Sequence, residues 1–323
     1  MLRAAIIGCG FIGAKRARNA PGCEIVACCD SEIDRARQLA AGVPGAIAVQ
    51  DWHEVIERRD IEVVFVATTH DMLAPISIAA ASTGKHVLVE KPAARRAADL
   101  DALKAAAHTS KARVRIGFNH RYHRSFRKAR EIFDSGVLGE PMYIRARYGH
   151  GGRPGYDREW RAVPELSGGG EGVDQGVHLV DLSRWFLGDF ISVQGHAGTY
   201  FWDMPVEDNA FFLLRTSTGQ VAQLHASWTE WKNLFSFEIF GRTGKLEIQG
   251  LGGSYGLERL LHYQMLPQMG PPETIIYEYP MADDSWEQEC RAFVDDIRRG
   301  SDPRPGVNDA QAALRIIEEL YNR

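Results

Sequence analysis

Residues 5–13 read AIIGCGFIG, an apolar run that ends in three glycines at positions 8, 10 and 13. This is the G-x-G-x-x-G spacing of a dinucleotide-binding turn, placed where a first β-strand hands over to a helix. Gly8 permits the tight turn, Gly10 lets the backbone approach a pyrophosphate, and Gly13 lets helix and strand pack closely. Phosphates would lie against N–H groups at the helix N-terminus. Downstream, Glu24-Ile-Val-Ala-Cys-Cys-Asp30 reads as a second apolar strand ending in an acid. Asp30 stands near the offset of roughly 20 residues at which an acid receives the adenosine ribose hydroxyls. A carboxylate there repels a 2′-phosphate, which favours NAD over NADP. The same side chain can also cap a helix starting near Glu32, and the two readings are compatible.

From residue 1 to about 120, strand-like runs alternate with helical ones. The runs are Arg3–Gly8, Glu24–Asp30, Ala46–Val49, Glu62–Thr68, His86–Glu90 and Arg113–Phe118, separated by amphipathic segments such as Asp34–Ala41 and Ala97–His108. Alternation of this kind predicts βαβ units and a parallel, doubly wound sheet, and six runs match the six-stranded Rossmann order. Beyond 120 the texture changes. A helix over Ser125–Ser135 ends at Gly136, a strand runs to Tyr148, and a Gly- and Arg-rich loop leads to Gly168-Gly-Gly170 and a helix reaching Leu187. Then come strand-like runs at Ile191–Phe201, Asn209–Thr216, Val221–Glu230, Ser236–Gly241, Lys245–Gln249 and Glu273–Tyr279, with turn signals at Ser217-Thr-Gly219 and Arg242-Thr-Gly244. They predict a mostly antiparallel sheet with one face available for packing. Amphipathic helices over Ser285–Arg299 and Asn308–Arg323 close the chain. The expectation is an α/β Rossmann dinucleotide-binding domain (1–120), an α+β substrate and oligomerisation domain with a large open sheet (121–284), and C-terminal helices (285–323).

A chain of 323 residues exceeds a typical single domain, and 45% hydrophobic with 25% charged residues is ordinary for a soluble globular protein. A net charge of −4 points to neither a nucleic-acid nor a membrane surface. No stretch approaches the ~20 apolar residues that span a bilayer, and the opening apolar run is too short for a signal peptide. The chain therefore reads as cytoplasmic. Its five cysteines are odd in number and form no paired C-x-x-C motif, so they read as buried or incidental thiols. His120-x-x-His123 has helical spacing without an evident acid or cysteine partner, and no metal is implied.

Glu90-Lys91-Pro92 follows the fifth strand, at the carboxyl edge of the sheet where open α/β folds bind ligands. A lysine beside a nicotinamide cation and partly buried would have a lowered pKa, suited to exchanging a proton with a substrate hydroxyl or carbonyl. From its position alone it reads more readily as an exposed strand-end lysine. In Gly168-Gly-Gly-Glu-Gly-Val-Asp174-Gln-Gly-Val-His178-Leu-Val-Asp181, helical spacing puts Asp174, His178 and Asp181 on one face. His178 has the range of a general base, and a neighbouring carboxylate would fix its tautomer; the plain alternative is a surface Asp–His pair. The glycine triplet indicates a close approach to another surface.

GCGFIG at 8–13, EKP at 90–92 and GGG-x₃-D-x₃-H-x₂-D at 168–181, in this order, resemble the Gfo/Idh/MocA family, which includes glucose–fructose oxidoreductase and inositol dehydrogenases. The resemblance covers essentially the whole chain and implies C-terminal helices that pack on the Rossmann domain. It assigns the catalytic set to Lys91, Asp174 and His178. Cofactor contacts fall on Gly8, Gly10, Phe11, Ile12, Gly13, Asp30, Thr68, Glu90 and Lys91. It puts Asn119 and Arg121 near the cofactor–substrate cleft, although Arg121 can instead anchor the next helix. Implied substrates are sugars, inositols and sugar derivatives, including anionic or nucleotide-activated ones. Tyr156, Trp160, Arg161 and Trp231 are candidate substrate residues, because aromatic faces suit sugar rings and arginines suit anionic oxygens; that loop reads equally as an oligomer contact. The family also implies a homodimer or homotetramer formed through the open sheet. Two other activities stay open: an NAD-using glycosidase or lyase with transient oxidation, and a non-catalytic NAD-binding regulator.

Overall fold

The computed structural model describes residues 1–321. They form two compact units. The first comprises Met1–Phe118, Glu165–Gly168 and Trp286–Arg315; the second comprises Asn119–Pro164, Gly169–Ser285 and the chain from Ile316.

The first unit alternates strand and helix: β1 (Leu2–Ile7), α1 (Phe11–Arg18), β2 (Cys23–Cys29), α2 (Ile33–Ala41), β3 (Ile47–Val49), α3 (Trp52–Glu57), β4 (Val63–Val66), α4 (His70–Ser82), β5 (His86–Glu90), α5 (Asp99–Ser110) and β6 (Val114–Gly117). All six strands are parallel, in the order β3-β2-β1-β4-β5-β6. Their apolar runs are continuous because helices cover both faces; every residue of β4 and β6 is buried. The order reverses direction at β1, whose neighbours are β2 and β4, and a topological switch point of this kind opens a ligand crevice at the carboxyl ends of the strands.

The second unit begins with α6 (Arg124–Asp134) and β7 (Pro141–Gly149). After a loop and the single turn α7 (Pro164–Ser167), a π-helical turn over Gly172–Gly176 runs into α8 (Val177–Leu187). Seven strands follow: β8 (Phe190–Gly198), β9 (Asn209–Thr216), β10 (Val221–Ser227), β11 (Leu234–Gly241), β12 (Gly244–Gln249), β13 (Glu258–Gln264) and β14 (Glu273–Tyr279). With β7 they make an eight-stranded sheet, β14-β13-β12-β11-β7-β10-β9-β8, in which only β7 and β10 pair in parallel. Along β9, Ala210, Phe212 and Leu214 are buried while Phe211 and Leu213 are exposed, the alternation of a sheet covered on one face. Helices α6 and α8 lie on the covered face. Strand β13 was missed in the sequence because two of its three inward residues, Glu258 and His262, are ionisable, which hides the alternation.

The chain ends in α9 (Ser285–Arg299) and α10 (Val307–Leu320). Cys290, Phe293 and Val294 of α9 share one core with Ala4, Ile6, Ile25 and Cys28 of β1 and β2. All five cysteines are buried and free. Among the described residues no helix is long and apolar enough to cross a membrane.

Candidate active site

In the first unit the glycine turn is built as its spacing requires. Gly8 has φ of +94°, and a Cβ there would stand 2.5 Å from the Ala67 carbonyl and 2.8 Å from the Thr68 nitrogen. Thr68 is thereby brought to the turn. A Cβ on Gly13 would fall 1.8 Å from the Gly8 carbonyl oxygen, so helix and strand meet there with no room for a side chain. Gly10 differs: a Cβ there would meet nothing within 4 Å. No side chain caps α1, and Phe11 at its first position is 83% exposed. The turn thus offers open space over Gly10 and a helix N-terminus beside it, which fits a pyrophosphate. Ile12 follows in the same first turn of α1.

Asp30 lies between the glycine turn and α2 but does not cap the helix as expected, because the N-cap position is taken by Glu32. Its Oδ1 accepts the Glu32 N–H at 2.9 Å, which fixes the approach to α2. Its Oδ2 accepts the Cys9 N–H at 2.8 Å, inside the glycine turn. The carboxylate is therefore pinned next to the turn by two backbone donors, and its remaining lone pairs suit ribose hydroxyls.

Glu90 was expected to contact the cofactor, but its carboxylate is turned onto Arg16 of α1 at 2.6 Å. Arg16 is fully buried and also donates to Glu289 of α9 at 2.6 Å. A buried guanidinium is tolerable only when paired in this way, and the pair ties the end of β5 to α1 and α9. Lys91, the next residue, is half-buried.

In the second unit residues 171–183 are buried without interruption, so the helix bearing Asp174 and His178 is not amphipathic but enclosed. The expected single stripe of Asp174, His178 and Asp181 is divided. A π-helical turn covers Gly172–Gly176, and each acid has its own arginine. Asp174 accepts from Arg161 Nε at 2.9 Å. Burial alone lowers the pKa of Arg161, but Asp174 and Tyr156 outweigh it, so the guanidinium is held charged. Asp181 accepts from Arg121 at 2.8 and 2.6 Å, a forked pair in which the acid is 1% exposed. Arg121 is thus tied to α8, a helix distant in sequence, and not to α6, the next helix along the chain. Asn119 donates to Ser285 Oγ at 3.0 Å.

His178 lies face to face with His120, ring centroids 3.8 Å apart. Tyr148 stands edge-on to His178 at 6.2 Å and to Tyr255 at 5.0 Å. Burial, followed by Tyr255, pushes the Tyr148 phenol up, so it is a neutral group.

The loop candidates separate. Arg161 reaches Asp174 and lies over the Trp160 ring at 4.6 Å. Tyr156, expected at the substrate, is 3% exposed and forms a small core with Ala162, Met204, Val206 and Trp228. Its ring holds the loop down and faces no solvent. Trp231 is 76% exposed, with φ of 59° and its ring 5.0 Å from that of Phe201.

Three side chains escaped the sequence reading. Glu207 accepts the Gly170 and Gly172 N–H groups, each at 3.0 Å, and the Tyr321 hydroxyl. A Cβ on Gly170 would lie 1.9 Å from the Glu207 carbonyl oxygen, so this acid, not a ligand, is the surface that the glycine triplet approaches there. Asp208, fully buried, gathers the N–H groups of Tyr200, Phe201 and Trp202. His120 is the third. His123, read as lacking an acidic partner, meets Glu258 at 3.1 Å and Asp283 at 3.7 Å, both distant in sequence.

Comparison with known proteins gives the same frame. The GFO_IDH_MocA model, an oxidoreductase family with an NAD-binding Rossmann fold, matches residues 2–118, and the GFO/IDH/MocA C-terminal domain model matches residues 126–247. Inositol 2-dehydrogenase of Salmonella typhimurium is 31% identical over 194 residues, 58% of this chain. The matched region spans just over half, 55%, of that relative's length. Myo-inositol 2-dehydrogenase of Thermotoga maritima is 25% identical over 98% of this chain and 94% of its own. A solved levoglucosan dehydrogenase, in complex with NADH and levoglucosan, superposes with a TM-score of 0.88 over 99% of this chain and 96% of its own, at 21% identity. With the models of both domains matched in order along one chain, this protein belongs to the Gfo/Idh/MocA family of oxidoreductases.

Proposed function

We propose that this protein is an NAD-dependent dehydrogenase that moves a hydride between nicotinamide and a secondary alcohol or ketone of a sugar, an inositol or a derivative of one. The observation that carries the reading is the pinned Asp30 carboxylate beside the open backbone at Gly10, a cradle for an adenosine ribose and a pyrophosphate. Asp30 also underlies the preference for NAD, because its charge opposes a 2′-phosphate. Gly8, Gly10, Phe11, Ile12, Gly13 and Thr68 would line the cofactor, with the Glu90 backbone and Lys91 at the end of β5.

Bound NAD⁺ supplies the hydride acceptor. His178, enclosed and held by stacked rings, takes the hydroxyl proton as the carbonyl forms. Lys91 stabilises the negative charge that develops on that oxygen. Asp174, fixed by Arg161, holds the segment preceding His178 and orients a neighbouring substrate hydroxyl. Asn119, Trp160 and Trp231 are the remaining candidates for substrate contact. The named activities of the relatives direct the first panel towards inositols and levoglucosan. The exposed sheet face suits association of copies into a homodimer or homotetramer, and the protein is proposed to act in the cytoplasm.

The test is NADH formation with purified protein and a panel of inositols, anhydrosugars, aldoses and sugar nucleotides, repeated with NADP⁺. A substrate is expected with NAD⁺ as the better acceptor, and Lys91→Ala and His178→Ala are each expected to lose at least 100-fold in kcat, the order of general acid–base contributions. Wild-type rates in both variants would sink the assignment, and a preference for NADP⁺ would overturn the role of Asp30.

A further inference from the structure

The second histidine beside His178 has no role in the reading above, although it is buried among four other rings. His120 and His178 are 6% and 4% exposed, and their rings lie 3.8 Å apart at 26°. Tyr148 and Phe235 flank His120 at 5.3 and 6.1 Å, which keeps water from its sides. Its Nδ1 is 3.2 Å from Asn119 Oδ1. An amide oxygen only accepts, so His120 must carry its hydrogen on Nδ1, and the Asn119 amide is itself oriented by its bond to Ser285. Two imidazolium rings stacked this closely in a buried site repel strongly, so the pair accommodates one proton and not two.

We propose that His120 is a positioning residue for the catalytic histidine: a neutral, Nδ1-protonated ring that fixes the plane of His178 and stabilises its cation face to face. The inference rests on His178 being the proton acceptor. The reaction needs that ring to become cationic once per turnover, and a π-face in contact favours the cation. Other ionisable groups around the pair are Tyr148 on β7, His123 one turn on at 5.6 Å with Glu258 and Asp283 behind it, and the Arg121–Asp181 ion pair. On the segment of His178 itself are Asp174 and Asp181, with Glu171 just before the π-helical turn, while Arg161, the partner of Asp174, comes from the preceding loop. The Arg121–Asp181 and Arg161–Asp174 pairs each match a guanidinium to a carboxylate and the Tyr148 phenol stays neutral, so the close stacking of His120 and His178 is what disfavours a second proton on the pair.

The test uses the full chain with ¹⁵N-labelled histidine and two variants. In the wild-type protein, NMR titration from pH 9 to 5.5 is expected to show one ring of the pair becoming doubly protonated while His120 stays neutral with hydrogen on Nδ1. His120→Ala is expected to lower kcat at least tenfold with KM changed less than twofold, and to move the acid limb of the kcat/KM profile by at least half a pH unit. His120→Phe keeps a flat ring without a titrating nitrogen and is expected to restore both the limb and most of kcat. A residue that merely fills space would leave the limb unmoved in His120→Ala. The proposal is overturned if both rings become cationic across that range, or if the Ala and Phe variants behave alike. Because the NMR arm needs no substrate, failure of this proposal is distinguishable from failure of the proposed activity.

Discussion

Replacing Arg121 by alanine is expected to be strongly destabilising, and the structure sets the size of the effect. The guanidinium makes two hydrogen bonds to Asp181, at 2.8 and 2.6 Å, and the acid is 1% exposed. Removing the arginine leaves a carboxylate in a buried helix with its main cationic partner gone. Breaking a buried pair from one side costs about 3–5 kcal/mol, whereas replacing both members by apolar residues is often neutral. For a cooperative unit of this size each kcal/mol moves the midpoint by about 2–4 °C, so Arg121→Ala should melt about 6–20 °C below the wild type. The double variant Arg121→Met/Asp181→Leu should recover most of that loss. The assay is thermal unfolding followed by circular dichroism, with urea midpoints as a second measure. If Arg121→Ala melted within about a degree of wild type while KM for substrate rose, the anchor reading would be wrong and Arg121 would belong to the substrate.

Gly10→Ala should fold normally, since its Cβ meets open space, yet weaken NAD(H) binding measured by calorimetry; Gly13→Ala should fail to fold stably, because its Cβ meets a carbonyl oxygen at 1.8 Å. Glu207 has its carboxyl pushed above the ordinary range by burial, which outweighs the hydrogen bonds from Tyr321 and two backbone N–H groups. The folded protein therefore holds that proton more tightly than the unfolded chain, so this group's contribution to stability is full below the ordinary carboxylate value. It declines as pH rises through the raised value and is flat above it. Urea unfolding across that range should show the slope, and Glu207→Gln should remove it. On the open sheet face Leu213 is 46% exposed, and Leu213→Arg should shift a dimer or tetramer towards monomer in sedimentation velocity; an unchanged distribution would place the interface elsewhere.

The Rossmann half was legible because each of its signals is local. A glycine that must turn, a glycine that must be touched and an acid at the end of the next strand are all written within about 22 residues, and their physical reasons operate at that range. Strand boundaries agreed to within a residue or two because continuous apolar runs end sharply at turn residues. The sheet of the second unit was legible wherever one face alternates. It failed at Glu258–Gln264, where an inward glutamate is satisfied by His123, a partner 135 residues away. An amphipathicity argument assumes that inward means apolar, and a buried ion pair breaks the assumption.

The same limit explains the candidate site. Types and spacing along the chain raised Lys91, Asp174 and His178 as candidates and the family resemblance made them the catalytic set, but what surrounds each of them comes from elsewhere. Asp174 was read as a neighbour of His178 on one helical stripe, and its arginine arrives from the preceding loop. Tyr156 was read as a sugar platform because it is aromatic in a basic loop, and it proved to be that loop's own core. The glycine triplet was read as a close approach to another surface, and at Gly170 that surface is the backbone of Glu207, which the sequence did not name. In each case the partner lay outside the reach of a local reading, because a side chain's partner is a property of the tertiary fold. Residues 171–183 are buried without interruption, so a polar side chain there costs desolvation unless it finds a partner. A second buried ring stacked 3.8 Å from the presumed base gives it a flat π-face, and the contrast between His120→Ala and His120→Phe separates that role from mere filling of space.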